Sequence, residues 1–166
     1  MIRSHLYKNM EVTEIKNKKD SESLVLFIDD MFDKWLDKSS FAKENSCCPG
    51  RTYDQIKKKI DQMDNCKYEF IICTNAKKVV GMTYISFFDD ESLYLGLINV
   101  HPEYREKGIF KKILDKAEEI CQVKKMKSMR LCTWHKNEKA IHTFLKYGFE
   151  VYKQDDKSIE LRKNVY

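Results

Sequence analysis

The chain has 166 residues, the size of one ordinary domain, and with 42% hydrophobic and 34% charged residues it falls among soluble globular proteins, outside the disordered and fibrous classes. Its 31 Lys and Arg against 26 Asp and Glu leave a net charge of +5 that is dispersed along the chain, which argues against a nucleic-acid partner. The first residues hold no apolar core of signal-peptide length, and the clearest early apolar run, 24–28, is far too short to span a bilayer, so no membrane partner and a cytoplasmic location are expected.

Residues 6–15 read as a first strand. Leu24, Phe27, Ile28, Met31, Phe32 and Trp35 then recur at three- and four-residue spacing, as one buried helix face requires. Residues 39–51, which include the vicinal Cys47 and Cys48 and the Pro49-Gly50 pair, read as a loop. Thr52 and Gln55 form a capping box ahead of Tyr53, Ile56, Ile60 and Met63, a second and short helix.

The pattern changes to β-branched and aromatic residues over 68–74 and 79–87, joined by a polar turn at 75–78; a second turn at 89–92 leads into 93–100, completing an antiparallel meander. From Gly108 onward Ile109, Phe110, Ile113, Leu114, Ala117, Ile120 and Cys121 trace a long helical stripe. A strand at 129–134 follows, then a helix over 138–147 with Asn137 as its cap and Gly148 at its end, then a strand pair turning at 155–157. This order predicts an α/β (α+β) fold in a single domain, 1–166: a mixed, mostly antiparallel sheet of six or seven strands with helices on both faces.

The six cysteines include no CxxC pair, and Cys132 and His135 stand without a second ligand pair, so reduced thiols and no metal site are expected. Cys73, Cys121 and Cys132 lie in apolar stretches and read as small core residues. The acidic residues Asp29, Asp30, Asp33 and Asp37 of the first helix, and Asp89, Asp90 and Glu91 at the turn, read as solvated faces.

The chemically suggestive segment is VHPEYREKGIF, which joins the fourth strand directly to the long helix. Backbone N–H groups without intrahelical partners crowd the helix start, where the dipole also favours negative charge. Gly108 removes a side chain where the backbone must approach closely, and Arg105 and Lys107 add positive charge, opposed by Glu106. A phosphate group is the natural occupant.

Two segments, INVHPEYREKGIF and NEKAIHTFLKYGF, resemble in order and spacing the cofactor loop and the NxxAxxxYxxxGF segment of the GCN5-related N-acetyltransferases. The resemblance is specific over 93–149. It implies acetyl-CoA as cosubstrate, a primary-amine acceptor on a small molecule or protein, and direct attack of the amine on the thioester. It implies backbone groups of Ile98, Asn99 and Val100 on the pantetheine or acyl carbonyl. Arg105, Glu106, Lys107, Gly108, Ile109 and Phe110 would hold the pyrophosphate, with Asn137 also at the cofactor. A homodimer is left open.

Two positions depart from the family pattern. Phe110 replaces a small residue, so its ring either turns into the core with Leu114 or widens the loop. Phe144 replaces the tyrosine that in many members protonates the departing thiolate; Tyr147, one turn on, is the nearest substitute, with partial core burial as its other reading. The fourth strand, reading LYLGL, offers no carboxylate as base. His135 is a candidate for that role, or an exposed loop residue, while His101 is expected to order the loop and His142 to face solvent. The missing acid and base leave a second reading, a non-catalytic acyl-CoA sensor.

Overall fold

The computed structural model describes residues 9–36, 38–48 and 50–166. Strand β1 (Met10–Ile15) is followed by α1 (Glu22–Asp30), which continues into a π-helical turn (Met31–Trp35), and by α2 (Lys38–Cys47) and α3 (Tyr53–Asp61). The meander β2 (Glu69–Asn75), β3 (Lys78–Phe87) and β4 (Ser92–Val100) leads to α4 (Ile109–Val123), β5 (Ser128–Trp134), α5 (Glu138–Tyr147), β6 (Glu150–Gln154) and β7 (Ser158–Asn164). Residues 6–8 of the expected first strand, Asp37 and Pro49 lie outside the described residues.

The seven strands form one sheet in the order β1-β2-β3-β4-β5-β7-β6, with every neighbouring pair antiparallel except β4 and β5. Helix α4 covers one face through Ile109, Ile113, Leu114, Ala117, Ile120 and Cys121, all buried with Leu93, Leu95 and Leu131 of the sheet. Helices α1 and α3 cover the other through Leu24, Phe27, Ile28, Ile56 and Ile60 against Phe70, Met82 and Tyr84. Each such buried side chain contributes about 1.5–3 kcal/mol, so each of the two cores is a substantial source of stability. The expected α/β sheet with helices on both faces is what the chain forms.

One expectation needs correcting. Residues 39–51 are not all loop, because α2 occupies most of them. Its inward positions include Phe41, Glu44 and Asn45, with Cys48 buried just past its end; these keep the spacing of a helical stripe, but half of them are polar. Hydrophobic periodicity is blind to such a stripe. Phe41 packs edge-on against Phe32 of the π-helical turn with ring centroids 5.5 Å apart.

Candidate active site

Strands β4 and β5 pair in parallel only where Ser92, Leu93 and Tyr94 face Ser128, Met129 and Arg130, and then diverge. On its other edge β4 carries an extra residue: Met82 faces Asn99 and Tyr84 faces Gly96, so two steps on β3 match three on β4. Leu97 takes up the bulge with a left-handed φ of 43°. Leu93 and Leu95 point to the α4 side, Leu97 to the α1 side, and Ile98 and Val100 to the α4 side again. Gly96 has no side chain because the Tyr84 ring lies where a Cβ would be, 1.9 Å from its nearest atom.

Beyond β4 the chain makes a single 3-10 turn, Pro102–Tyr104, which His101 caps by accepting the Glu103 N–H at Nδ1 (3.2 Å). The His101 ring also lies against Trp35 (4.6 Å between centroids), and the Trp35 indole donates to Asn99 Oδ1 (2.9 Å), tying the π-helical turn to the end of β4. Arg105 Nε donates to the Val100 carbonyl (3.1 Å), and the Lys107 ammonium donates to the Glu103 carbonyl. Gly108 sits at the N-cap of α4 with φ 78°, and a Cβ there would meet nothing within 4 Å. The first turn of α4 carries no acidic residue, so its N–H groups and dipole face open space, with Glu106 on the preceding loop as the nearby negative charge.

That open space is an outer cavity of about 510 Å³ between β4, the loop, α4 and α5. Ile98, Asn99, Val100, Arg105, Glu106, Gly108, Ile109, Phe110 and Asn137 line it, together with Tyr104, Lys139, Ala140 and Thr143, which the sequence did not single out. Lys107 is absent from the lining because its side chain turns back along the loop. Phe110 turns neither onto Leu114 alone nor out of the loop: its ring packs on Phe144, 5.1 Å away, so the two aromatic departures from the family pattern contact each other.

An inner cavity of about 100 Å³ shares Ile98, Phe110, Asn137 and Ala140 with the outer one and lies in the gap between the diverging strands. Glu44 from α2 lines it. One carboxylate oxygen accepts from Thr133 Oγ1 on β5 and from Asn137 Nδ2 (3.2 Å); the other faces Arg51 at 3.5 Å. Asn137 does stand at the N-cap of α5, but it provides no side-chain cap; its amide is spent on Glu44 and Thr133 instead. Arg51 spans the gap, donating to the Cys132 carbonyl on β5 (2.6 Å) and to the Tyr94 hydroxyl on β4 (3.4 Å). It is only 4% exposed, and its Nε has no hydrogen-bond partner among the described residues.

Cys132 also lines the inner cavity and is only partly buried, which corrects its reading as a plain core residue. Its electrostatic neighbours include Cys48, just past the end of α2, and Ser158 of β7. Cys48 in turn lies 3.6 Å, sulfur to sulfur, from Cys47. The neighbouring Cys48, opposed by burial and aided by the Arg51 guanidinium, holds the Cys132 thiol below the ordinary thiol range. Cys48 is shifted the opposite way by the same neighbour and by burial, so the two thiols titrate as a pair.

The two side chains named for acid–base work lie elsewhere. Tyr147 donates to Asp115 (2.7 Å) and approaches Glu118 (3.2 Å), both on α4, and burial followed by the Asp115 hydrogen bond raises its hydroxyl above the ordinary tyrosine range. It lines neither cavity. His135 stacks on Trp134 and places Nδ1 3.4 Å from the Asp155 carbonyl, at the β6–β7 turn and off the cavity walls. On the first helix Asp29 accepts from the Tyr53 hydroxyl (2.7 Å) and Asp30 pairs with Lys34 (2.8 Å), the local uses of a solvated face.

A half-open parallel pair, a bulged strand and a bare helix N-terminus together define a groove for a long, thin, phosphorylated cofactor, the arrangement of an acyl-CoA-dependent acyltransferase. The acetyltransferase (GNAT) family model matches residues 28–149, most of the chain, and the protein belongs to that family. Among solved structures, the chain is similar to the PaiA N-acetyltransferase of Thermoplasma acidophilum, determined in complex with coenzyme A (18% identity, 93% of this chain and 99% of that one, TM-score 0.67). It is likewise similar to a GNAT-family acetyltransferase of Staphylococcus aureus Mu50 (21% identity, 95% and 99%, TM-score 0.67) and to Ard1 of Thermoplasma volcanium (20% identity, 95% and 98%, TM-score 0.67). At these identities the likeness attests the fold. No curated protein sequence matches the chain significantly.

Proposed function

We propose that the protein moves an acetyl group from coenzyme A to a primary amine on a small molecule or a protein. The observation that carries this reading is the pair of connected cavities, one at the bare N-terminus of α4 and one in the gap between β4 and β5. The pyrophosphate is taken by backbone groups around Arg105, Glu106, Gly108, Ile109 and Phe110, with Lys107 supplying charge to the loop. The pantetheine runs along Ile98, Asn99 and Val100 past Asn137, which brings the thioester into the inner cavity. Family membership and the neighbour solved with coenzyme A support this choice of cosubstrate.

The carboxylate that β4 lacks is supplied in this reading by Glu44, which stands in the wall of the inner cavity with Thr133, Asn137 and Arg51 as its partners. An ionised carboxylate there attracts a cationic amine and takes a proton as the amine attacks. The test is calorimetric titration with acetyl-CoA, followed by thiol release across a broad amine panel. Saturable binding with turnover on at least one amine is expected. Tight binding with no turnover on any amine would support the sensor reading that Phe144 keeps open.

A further inference from the structure

A CoA thioester carries its acyl group as a tail of variable length, and the walls of the subsite set how long a tail fits. The two residues that depart from the family pattern, Phe110 and Phe144, both line the inner cavity, where the acyl group would lie. Resting on the acetyl-CoA reading above, we propose that the paired rings of Phe110 and Phe144 form the floor of the acyl subsite and restrict the donor to acetyl- and propionyl-CoA.

The inner cavity has two unlike walls. Leu95, Ile98, Phe110, Leu131, Ala140 and Phe144 belong to, or pack on, the core beneath α4, and their side chains are all apolar. Glu44, Arg51 and Thr133, joined to one another by an ion pair and a hydrogen bond, make the other wall. An acyl methyl group gains by leaving water only against the first wall, whereas an incoming amine finds its partners on the second. The acyl tail is therefore directed into the apolar side of the cavity, with the amine arriving from α2.

Depth on that side is set by aromatic rings. Phe144 is 6% exposed, with Phe149 packed edge-on against it (5.5 Å between centroids) and Phe110 tilted on it (5.1 Å). Ring contacts on two sides, in a densely packed core, hold Phe144 in one place. Phe110 lines the outer cavity as well, so its ring stands at the neck through which the thioester would pass. The small residue that the family pattern has in its place would leave that neck wider. A cavity of about 150 Å³ holds a benzene ring, so an inner cavity of about 100 Å³ holds roughly four heavy atoms, enough for an acetyl or propionyl group and too few for a butyryl group.

The experiment uses the full chain and calorimetric titration with free CoA and with acetyl-, propionyl-, butyryl- and hexanoyl-CoA, which requires no acceptor. In wild type butyryl- and hexanoyl-CoA should bind at least about tenfold more weakly than acetyl- and propionyl-CoA, the penalty for an oversized group in a fixed apolar pocket. Phe144→Ala lowers the floor and should bring both longer thioesters to within about threefold of acetyl-CoA in the same variant. Phe110→Ala, which widens the neck, should shift the ratios in the same direction by a smaller factor. Wild-type protein that binds hexanoyl-CoA as tightly as acetyl-CoA overturns the floor and leaves the acetyl-CoA reading standing, as does a folded variant whose ratios are those of wild type. Absence of binding of both free CoA and acetyl-CoA in wild type overturns both. The wild-type series and Phe110→Ala decide the matter even if Phe144→Ala fails to fold.

Discussion

The outer and inner cavities are adjacent but built on different principles. The outer one is largely local: a strand end, a loop and a helix start contribute nine of its thirteen lining residues between Ile98 and Phe110, and its capacity lies in backbone amides. The inner one draws Glu44 and Arg51, Leu95 and Leu97, Cys132 and Thr133, and Asn137 from four separated stretches of chain, and its capacity lies in side chains. Cofactor grip is thus a property of a short segment, while reactivity is a property of the fold.

The sharpest way to separate them is Gly108→Val. Position 108 has φ 78°, which a β-branched residue adopts only with strain, and the new side chain would enter the space offered to the pyrophosphate. CoA affinity should fall at least roughly a hundredfold, about 2.7 kcal/mol, in calorimetry. Because the inner cavity is untouched, alkylation of Cys132 should proceed as in wild type. Unchanged CoA binding would break the comparison.

Arg51→Met attacks the inner cavity. The guanidinium meets Glu44, Tyr94 and the Cys132 carbonyl from a site 4% exposed, so its loss strands a carboxylate and a carbonyl. Loss of one partner from such a buried pair costs about 3 kcal/mol, a fall in Tm of roughly 6 to 12 °C for a chain of this length. At temperatures where the variant remains folded, CoA affinity should stay within about threefold of wild type, since Arg51 does not line the outer cavity.

The same division explains what could be read from the residues alone. Helix α4 was legible because Ile109, Ile113, Leu114, Ala117, Ile120 and Cys121 are apolar at helical spacing, and the loop before it because Gly108 and the helix dipole act over a few residues. Helix α2 was hidden because Glu44, Asn45 and Cys48 turn polar groups inward, as a helix facing a site must. The bulge at Leu97 was hidden too; Gly96 is its one local sign, and that glycine answers to the Tyr84 ring across the strand pair. Asn137 was assigned the capping role its residue type favours, but tertiary partners at Glu44 and Thr133 claimed its side chain. Reading Arg51 or Glu44 as site residues required knowing that positions 81 and 89 residues apart in sequence meet.

Cys48→Ala should move a smaller quantity. Around Cys132 stand Cys48 and Cys47 of α2, the Arg51 guanidinium, Glu44, Tyr94 of β4, and Ser158 and Glu160 of β7. The neighbouring Cys48 is the largest of the influences lowering Cys132, and burial opposes it. In wild type the rate of Cys132 alkylation should therefore rise with pH through a midpoint below the ordinary thiol range. Without the Cys48 thiol the midpoint should move upward. A profile that matches exposed Cys66 in both proteins would break the assignment.

The smallest effect is expected at Tyr147, the residue that position alone made a candidate acid. Its hydroxyl donates to Asp115 and approaches Glu118, both on α4, its ring is clasped by the Lys163 ammonium 4.4 Å from the centroid, and neither cavity reaches it. Tyr147→Phe keeps the ring and removes one donor between partly exposed partners, a loss of about 0.5–1.5 kcal/mol in unfolding experiments. Both carboxylates keep other partners, since Lys111 pairs with Asp115 and Lys163 with Glu118, which holds the effect near the lower end. The acyl-transfer rate and its pH profile should be unchanged. A large fall in that rate would show that the helix one turn beyond Phe144 does reach the thioester, and would assign the acid's role to α5.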